Sequence, residues 1–200
     1  MGLGPDGFIA RARPGTVVVS HTTGTIDTLT ELSNSSPSPP AIVDAPVSGT
    51  AKHIAEGRLT VLIGGPADAV DRVTPVLAAY ASPIIATGGA GSALTIKLIN
   101  NVLFAANSQL VAAAVALGEG LGADARALLG ALSVCSGGSA AASYVSSVGG
   151  LDEFVAKGAE FLRKDVAAAF ATAEQAGADL GYLQSVIVNG PLELLKTPTS

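Results

Sequence analysis

Two hundred residues with 48% apolar and 14% charged side chains exclude a disordered chain and leave ample core for one large domain or two modest ones. A net charge of −5 and an isoelectric point near 4.9, with Arg163-Lys164 as the one basic cluster, give no footprint for nucleic acid or anionic lipid. Cys135 is the only cysteine, so no intrachain disulfide is possible, and with no His/Cys grouping beside it there is no case for a metal such as zinc.

The first residues, Met1 to Gly7, have neither a basic n-region nor an apolar h-region, so the expected location is cytoplasmic and reducing. Gly2-Leu3-Gly4-Pro5-Asp6-Gly7 fits the G-x-G-x-x-G dinucleotide pattern. No strand leads into it and Pro5-Asp6 suggests a turn, so the match reads as accidental. Asp27, about where a ribose-binding acid would fall, lies in a predicted helix.

Short β-branched runs then alternate with helical stretches. Strands are predicted at 16–20, 41–44, 59–63 and 83–86, and helices around 26–32 and 67–79, the second with an awkward Pro75. Continuous apolar strands between helices argue for an α/β sheet covered on its faces. Ser33 to Pro40 reads as a polar surface connection. After Thr87-Gly88-Gly89-Ala90-Gly91 the strand signal fades, and helices are predicted at 92–121, 124–134, 139–148 and 152–176. The expectation is α/β followed by all-α, with domains at 1–88 and 89–200 and no internal repeat.

The first of these late helices holds the chemistry. Lys97 sits among Ile96, Leu98 and Ile99, where an ammonium must either snorkel to water or be partly desolvated and so suited to proton transfer. Asn101, one turn on, shares its helix face. The pair reads as a proton-transfer site or, equally, as a snorkelling lysine beside an asparagine that satisfies nearby backbone. The stretch from Leu94 to Leu121 is interrupted by Lys97, Asn100, Asn101, Asn107, Gln109 and Glu119, too polar for an unaccompanied membrane span. Burial in a core or a subunit interface is expected instead.

Asp44-Ala45-Pro46-Val47-Ser48-Gly49-Thr50 ends a strand at a proline and offers two hydroxyls around a glycine, where backbone N–H groups could hold a carboxylate. Alone it reads as a strand-to-loop turn. His53 is expected as a solvated loop histidine, and His21 shows no partner signal. Arg163-Lys164-Asp165 is expected as an exposed helix patch, Ser136-Gly137-Gly138-Ser139 as a helix connection and Cys135 as packed.

Taken in order, Asp44-Ala45-Pro46-Val47-Ser48-Gly49, then Gly57-x-Leu59-Thr60-Val61 with Gly64-Gly65, then Gly88-x-x-Gly91 leading into Lys97-x-x-Asn100-Asn101, resemble the β-hydroxyacid dehydrogenase family. Arg13-Pro14-Gly15 through Thr22-Thr23 and the late Lys164-Asp165 extend the resemblance to about residues 5–180. It implies a partial Rossmann-type sheet with a helical 6-phosphogluconate dehydrogenase-like domain, and NAD(P)-dependent interconversion of a 3-hydroxy acid and its semialdehyde. By the same resemblance Lys97 is the general acid/base and Asn101 binds substrate and steadies the lysine. Ser48, Gly49 and Thr50 bind the substrate carboxylate, and Thr23 and Lys164 contact NAD or NADP. A homodimer or higher homo-oligomer through the helical half is expected, with no nucleic-acid or membrane partner.

The departures are specific. An N-terminal βαβ portion with the glycine-rich phosphate loop, typical of relatives, is not seen in the sequence, and with it goes the residue that separates NAD from NADP. Ala93 and Thr50 each stand where the motifs usually have glycine, and Lys157 falls near a position often aromatic. The alternative is therefore a non-catalytic relative serving as an oligomerisation or small-acid-binding module. An imine reductase is disfavoured by Lys97.

Overall fold

The computed structural model describes residues 2–4, 6–35 and 39–195. Strand β1 (Val17–Ser20) runs parallel to β2 (Ala41–Asp44), with Val17 opposite Ala41 and Ser20 opposite Asp44. Helix α1 (Ile26–Asn34) connects them, and its first turn is capped by Thr25, whose hydroxyl accepts the Thr28 N–H at 3.3 Å. The predicted polar connection begins inside this helix, because Ser33 and Asn34 belong to it, and residues 36–38 lie outside the described residues.

Beyond Asp44 the chain passes through the buried Ala45 and Pro46 into a two-residue strand, β3 (Val47–Ser48), and a single-turn helix, α2 (Ala51–Ala55). Strand β4 (Leu59–Gly64) pairs antiparallel with β3 and with the end of β2, and parallel with β5 (Ala81–Gly88) on its other side. Helix α3 (Ala67–Leu77) lies between β4 and β5 and carries Pro75 in its last turn, where the missing N–H costs one hydrogen bond near an end that frays anyway. Val43, Ala45, Leu59, Val61, Ile63, Ala69, Leu77 and Ala81 form the core of this part. Each larger member contributes on the order of 1.5–3 kcal/mol by leaving water.

Among the described residues after β5 the regular elements are all helices: α4 (Ser92–Gly120), α5 (Ala125–Leu132), α6 (Ala140–Val148), α7 (Leu151–Gln175) and α8 (Gly181–Asn189). The chain has the expected α/β part followed by an all-α part. Contacts divide it into two compact units, Met1–Lys97 and Leu98–Ser200. Helix α4, about 44 Å long at 1.5 Å per residue, is apolar enough by length and composition to cross a membrane, with a mean hydropathy of 1.4 in its most apolar window. Half of that window is buried, however, and the buried side carries Asn101, Ser108 and Gln109, as in the core helix of a packed bundle. In the second unit α5 and α6 are capped by Asp124 and Ser139, and Tyr144 meets the edge of the buried Phe154 ring at 6.0 Å.

Three elements were not anticipated: β3, α2 and α8. The first two are shorter than any period that hydrophobic patterning resolves. The third, Gly181-Tyr182-Leu183-Gln184-Ser185-Val186-Ile187-Val188-Asn189, opens on glycine and holds three β-branched residues in a row, so local propensity disfavours the helix that packing imposes.

Candidate active site

Asp44 organises the start of α4. Its side chain is buried at the end of β2, where Oδ1 accepts the Gly91 N–H at 2.8 Å and Oδ2 accepts the Leu94 N–H at 2.9 Å. Two of the N–H groups that open a helix without an intrahelical partner are thereby satisfied by one carboxylate, in the position the helix dipole favours. Gly91 sits at φ +83°, a left-handed turn that a side chain would strain. Ala93, in place of the usual second glycine, points its methyl group into full burial.

Lys97 follows on this helix and is half-buried. One turn further, Asn101 is buried, and its Nδ2 donates to Asp165 Oδ2 on α7 at 2.9 Å. That bond fixes which way the amide faces and leaves Asn101 Oδ1 as the acceptor, approached by Asn100 Nδ2 at 3.3 Å. The Asp165 contact was invisible in the sequence, because 64 positions separate the partners and only the fold brings α7 to Asn101. Lys164, beside Asp165 on α7, is exposed, and Arg163 Nε donates to the Glu193 carbonyl at 2.6 Å.

Ser48, Gly49 and Thr50 lie exposed at the end of β3 and the start of α2. Gly49 has φ +140°, and a Cβ there would stand 3.0 Å from Leu59 Cδ1 and 3.2 Å from His53 Cβ, so glycine is required. His53 corrects the sequence reading: it is a helical residue of α2, half-buried, whose Nδ1 accepts the Thr50 N–H at 3.1 Å and lies 2.9 Å from Thr50 Oγ1. A backbone N–H only donates, so Nδ1 is the unprotonated nitrogen. Of the loop's backbone donors, that of Thr50 is already engaged.

Thr23 is half-buried in the loop that leaves the C-terminal end of β1, beside a crevice of about 460 Å3 lined by Val18, Ser20, Thr22, Gly24, Thr25 and Leu29. Carboxyl ends of parallel strands are where doubly wound sheets take ligands. Threonine and serine hydroxyls over an apolar floor suit a ribose and a flat aromatic ring, so the residues present fit part of a nicotinamide nucleotide. His21, expected to stand alone, has two partners: Nδ1 lies 2.5 Å from the Ala45 carbonyl and Nε2 2.8 Å from Tyr80 Oη. Cys135 is a second correction, because it is exposed in the turn after α5, where geometry overrides its usual preference for burial. Lys157 is exposed on α7 and pairs with Glu153 at 3.1 Å.

Two family models match in tandem. Residues 1–89 match the NAD binding domain of 6-phosphogluconate dehydrogenase, and residues 89–187 match the NAD-binding domain of NADP-dependent 3-hydroxyisobutyrate dehydrogenase. The chain belongs to the β-hydroxyacid dehydrogenase family. A probable mitochondrial 3-hydroxyisobutyrate dehydrogenase of Arabidopsis thaliana is 32% identical over 146 residues, covering 69% of this chain and 42% of that protein. The 3-sulfolactaldehyde reductase of Escherichia coli is 41% identical over 81 residues, covering 40% of this chain and 27% of that protein. Among solved structures, the Mycobacterium tuberculosis 3-hydroxyisobutyrate dehydrogenase with L-serine superposes with a TM-score of 0.75 at 26% identity, covering 90% of this chain and 65% of that one. The chain thus spans less than half the length of these curated relatives.

Proposed function

We propose that this chain carries the substrate-side machinery of an NAD(P)-dependent oxidoreductase that interconverts a 3-hydroxy acid and its semialdehyde, with Lys97 as general acid/base. The observation that carries the reading is the α4 pair: the sole lysine of an apolar helix, half-buried, one turn from a buried asparagine whose amide is oriented by Asp165. Membership in the family and the tandem NAD-binding models support it. So does the naming of relatives as a 3-hydroxyisobutyrate dehydrogenase and a 3-sulfolactaldehyde reductase. L-Serine, present with the Mycobacterium tuberculosis relative, also places a hydroxyl on the carbon next to the one bearing the carboxylate.

NAD or NADP, when bound, supplies the hydride acceptor or donor at the carbinol carbon. Lys97 Nζ takes the hydroxyl proton during oxidation and returns it during reduction, so that no alkoxide has to form free in solution. Asn101 holds the substrate oxygen through its side-chain amide. Ser48 Oγ and the Gly49 N–H grip the carboxylate, with Thr50 Oγ1 closing the loop around it. Thr23 and Lys164 contact the nucleotide. A homodimer is part of this proposal, supported by the exposed row Ile96, Ile99, Leu103, Leu110 and Leu117 along α4.

Titration of the purified chain with NAD(H) and NADP(H), followed by assay with 3-hydroxyisobutyrate, tests the reading. Saturable turnover lost in Lys97→Ala is expected. Binding no tighter than millimolar, with no turnover of any 3-hydroxy acid, would leave the small-acid-binding module in its place.

A further inference from the structure

Three short segments converge on one buried carboxylate. Strand β2 ends at Asp44, and the chain then runs four residues to Ser48. That path has no slack: the Ala45 N–H donates to the Ser20 carbonyl at 2.7 Å, the Leu62 N–H donates to the Pro46 carbonyl at 3.0 Å, and both Ala45 and Pro46 are fully buried. On the other side of Asp44 stands the first turn of α4, held by the Gly91 and Leu94 amides, with Lys97 three residues beyond the second of them.

The opposite flank of that turn is closed as well. Thr87 Oγ1 lies 2.7 Å from Ser92 Oγ and donates to the Ile63 carbonyl at 3.0 Å. At Gly64 a Cβ would meet Ser92 Oγ at 2.6 Å, the Gly89 carbonyl at 2.8 Å and Asp44 Oδ1 at 3.0 Å. Strand, turn and carboxylate are therefore packed to contact, and α4 cannot slide or rotate at its start without breaking a bond to Asp44.

We infer that Asp44 is a positioning residue of the reaction: by clamping the Gly91 and Leu94 amides from the strand that feeds the Ser48-Gly49-Thr50 loop, it sets the span between the carboxylate-binding loop and the Lys97 amine. The inference rests on the reading of Lys97 as acid/base. A helix cap alone would need only a local side chain from the preceding loop. Here the cap comes from 47 and 50 positions away, from the strand that also aims the ligand loop, so one group registers both halves of the substrate grip. Asparagine at this position keeps one acceptor oxygen and turns an NH2 towards the other N–H, so the clamp becomes single and the first turn of α4 is free to pivot.

The test compares wild type with Asp44→Asn. One readout is steady-state kinetics on 3-hydroxyisobutyrate with NAD(P). The other is the 13Cε signal of Lys97 in lysine-labelled protein, assigned by its loss in Lys97→Arg, together with amide exchange at Gly91, Leu94 and Lys97. The expected result is kcat lower by about tenfold or more with KM changed by less than about threefold, because a misplaced base costs the transition state more than the bound substrate. The Lys97 signal shifts or splits, and exchange accelerates in residues 91–97 alone. An unchanged kcat with an unchanged Lys97 signal overturns the inference, as does accelerated exchange spread over the whole chain. If wild type turns over no hydroxy acid, the proposed function fails by itself, and the Lys97 signal and local exchange still decide whether Asp44 positions that amine.

Discussion

A carbonyl oxygen only accepts, so the contact between His21 Nδ1 and the Ala45 carbonyl places a proton on Nδ1, and Nε2 lies 2.8 Å from Tyr80 Oη, within hydrogen-bond distance. Burial pushes the Tyr80 phenol above its ordinary 10.0. A group whose proton is held more tightly in the folded chain stabilises the fold below the unfolded value and ceases to do so as pH rises through the folded one. The melting temperature is therefore expected to fall as pH climbs beyond about 10, and Tyr80→Phe should flatten that limb while costing about 1 kcal/mol at neutral pH for the lost hydrogen bond. Parallel alkaline limbs in the two proteins would disprove the assignment. Asp165→Ala should release the Asn101 amide and lower kcat/KM by roughly tenfold through loss of an oriented donor and acceptor, a change that steady-state kinetics would detect.

Helix α4 shows what patterning resolves and what it does not. Its apolar run, its start after Gly91 and the Lys97–Asn101 face were legible because they follow from composition and a period of 3.6 residues. Asp44 as the clamp on that helix and Asp165 as the partner of Asn101 were not, since each pairing spans 47 or more positions and depends on where sheet and helices meet. Helix α8 was missed for a related reason: its buried Ile187 carbonyl and the Leu192 backbone just beyond it are held by one distant side chain on α4. Gln109, buried, donates through Nε2 to the Ile187 and Leu192 carbonyls at 2.9 and 2.7 Å and accepts the Leu192 N–H at 2.7 Å. Gly190 leaves that amide its room, for a Cβ there would stand 2.4 Å from Gln109 Cδ. Gln109→Leu is expected to cost on the order of 2–4 kcal/mol, because the buried Ile187 carbonyl and the part-buried Leu192 N–H lose this partner while the Leu192 carbonyl keeps the Leu194 N–H. Amide exchange should accelerate first across Gly181–Asn189, and unaltered protection there would contradict this account of the helix. His53 was misread by the same logic, its helix being one turn long and visible only through the Thr50 contact.

At the scale of the molecule, Ile96, Ile99, Leu103, Leu110 and Leu117 are 44–65% exposed, spaced three, four, seven and seven residues apart on one helix. A heptad-like apolar row of this kind is the self-complementary surface that a two-fold interface needs. Light scattering should give a dimer for wild type and a monomer for Leu103→Glu/Leu110→Glu, and a monomeric wild type would remove the interface from the proposal. The fold class follows from residues within this chain, whereas the matches to the two curated relatives cover 42% and 27% of their lengths, so the complete reaction is a proposal that the kinetic tests decide.

The central claim is that the Lys97 amine moves a proton in a redox step, and chemical rescue addresses it most directly. Lys97→Ala, saturated with NAD(P) and 3-hydroxyisobutyrate, is assayed across a series of added ethylamine concentrations at constant ionic strength. The account predicts activity depressed by about two to four orders of magnitude and recovered in proportion to the free amine, because a diffusing base takes the missing role. Full activity in Lys97→Ala without amine, or depressed activity that ethylamine leaves unchanged, would contradict it.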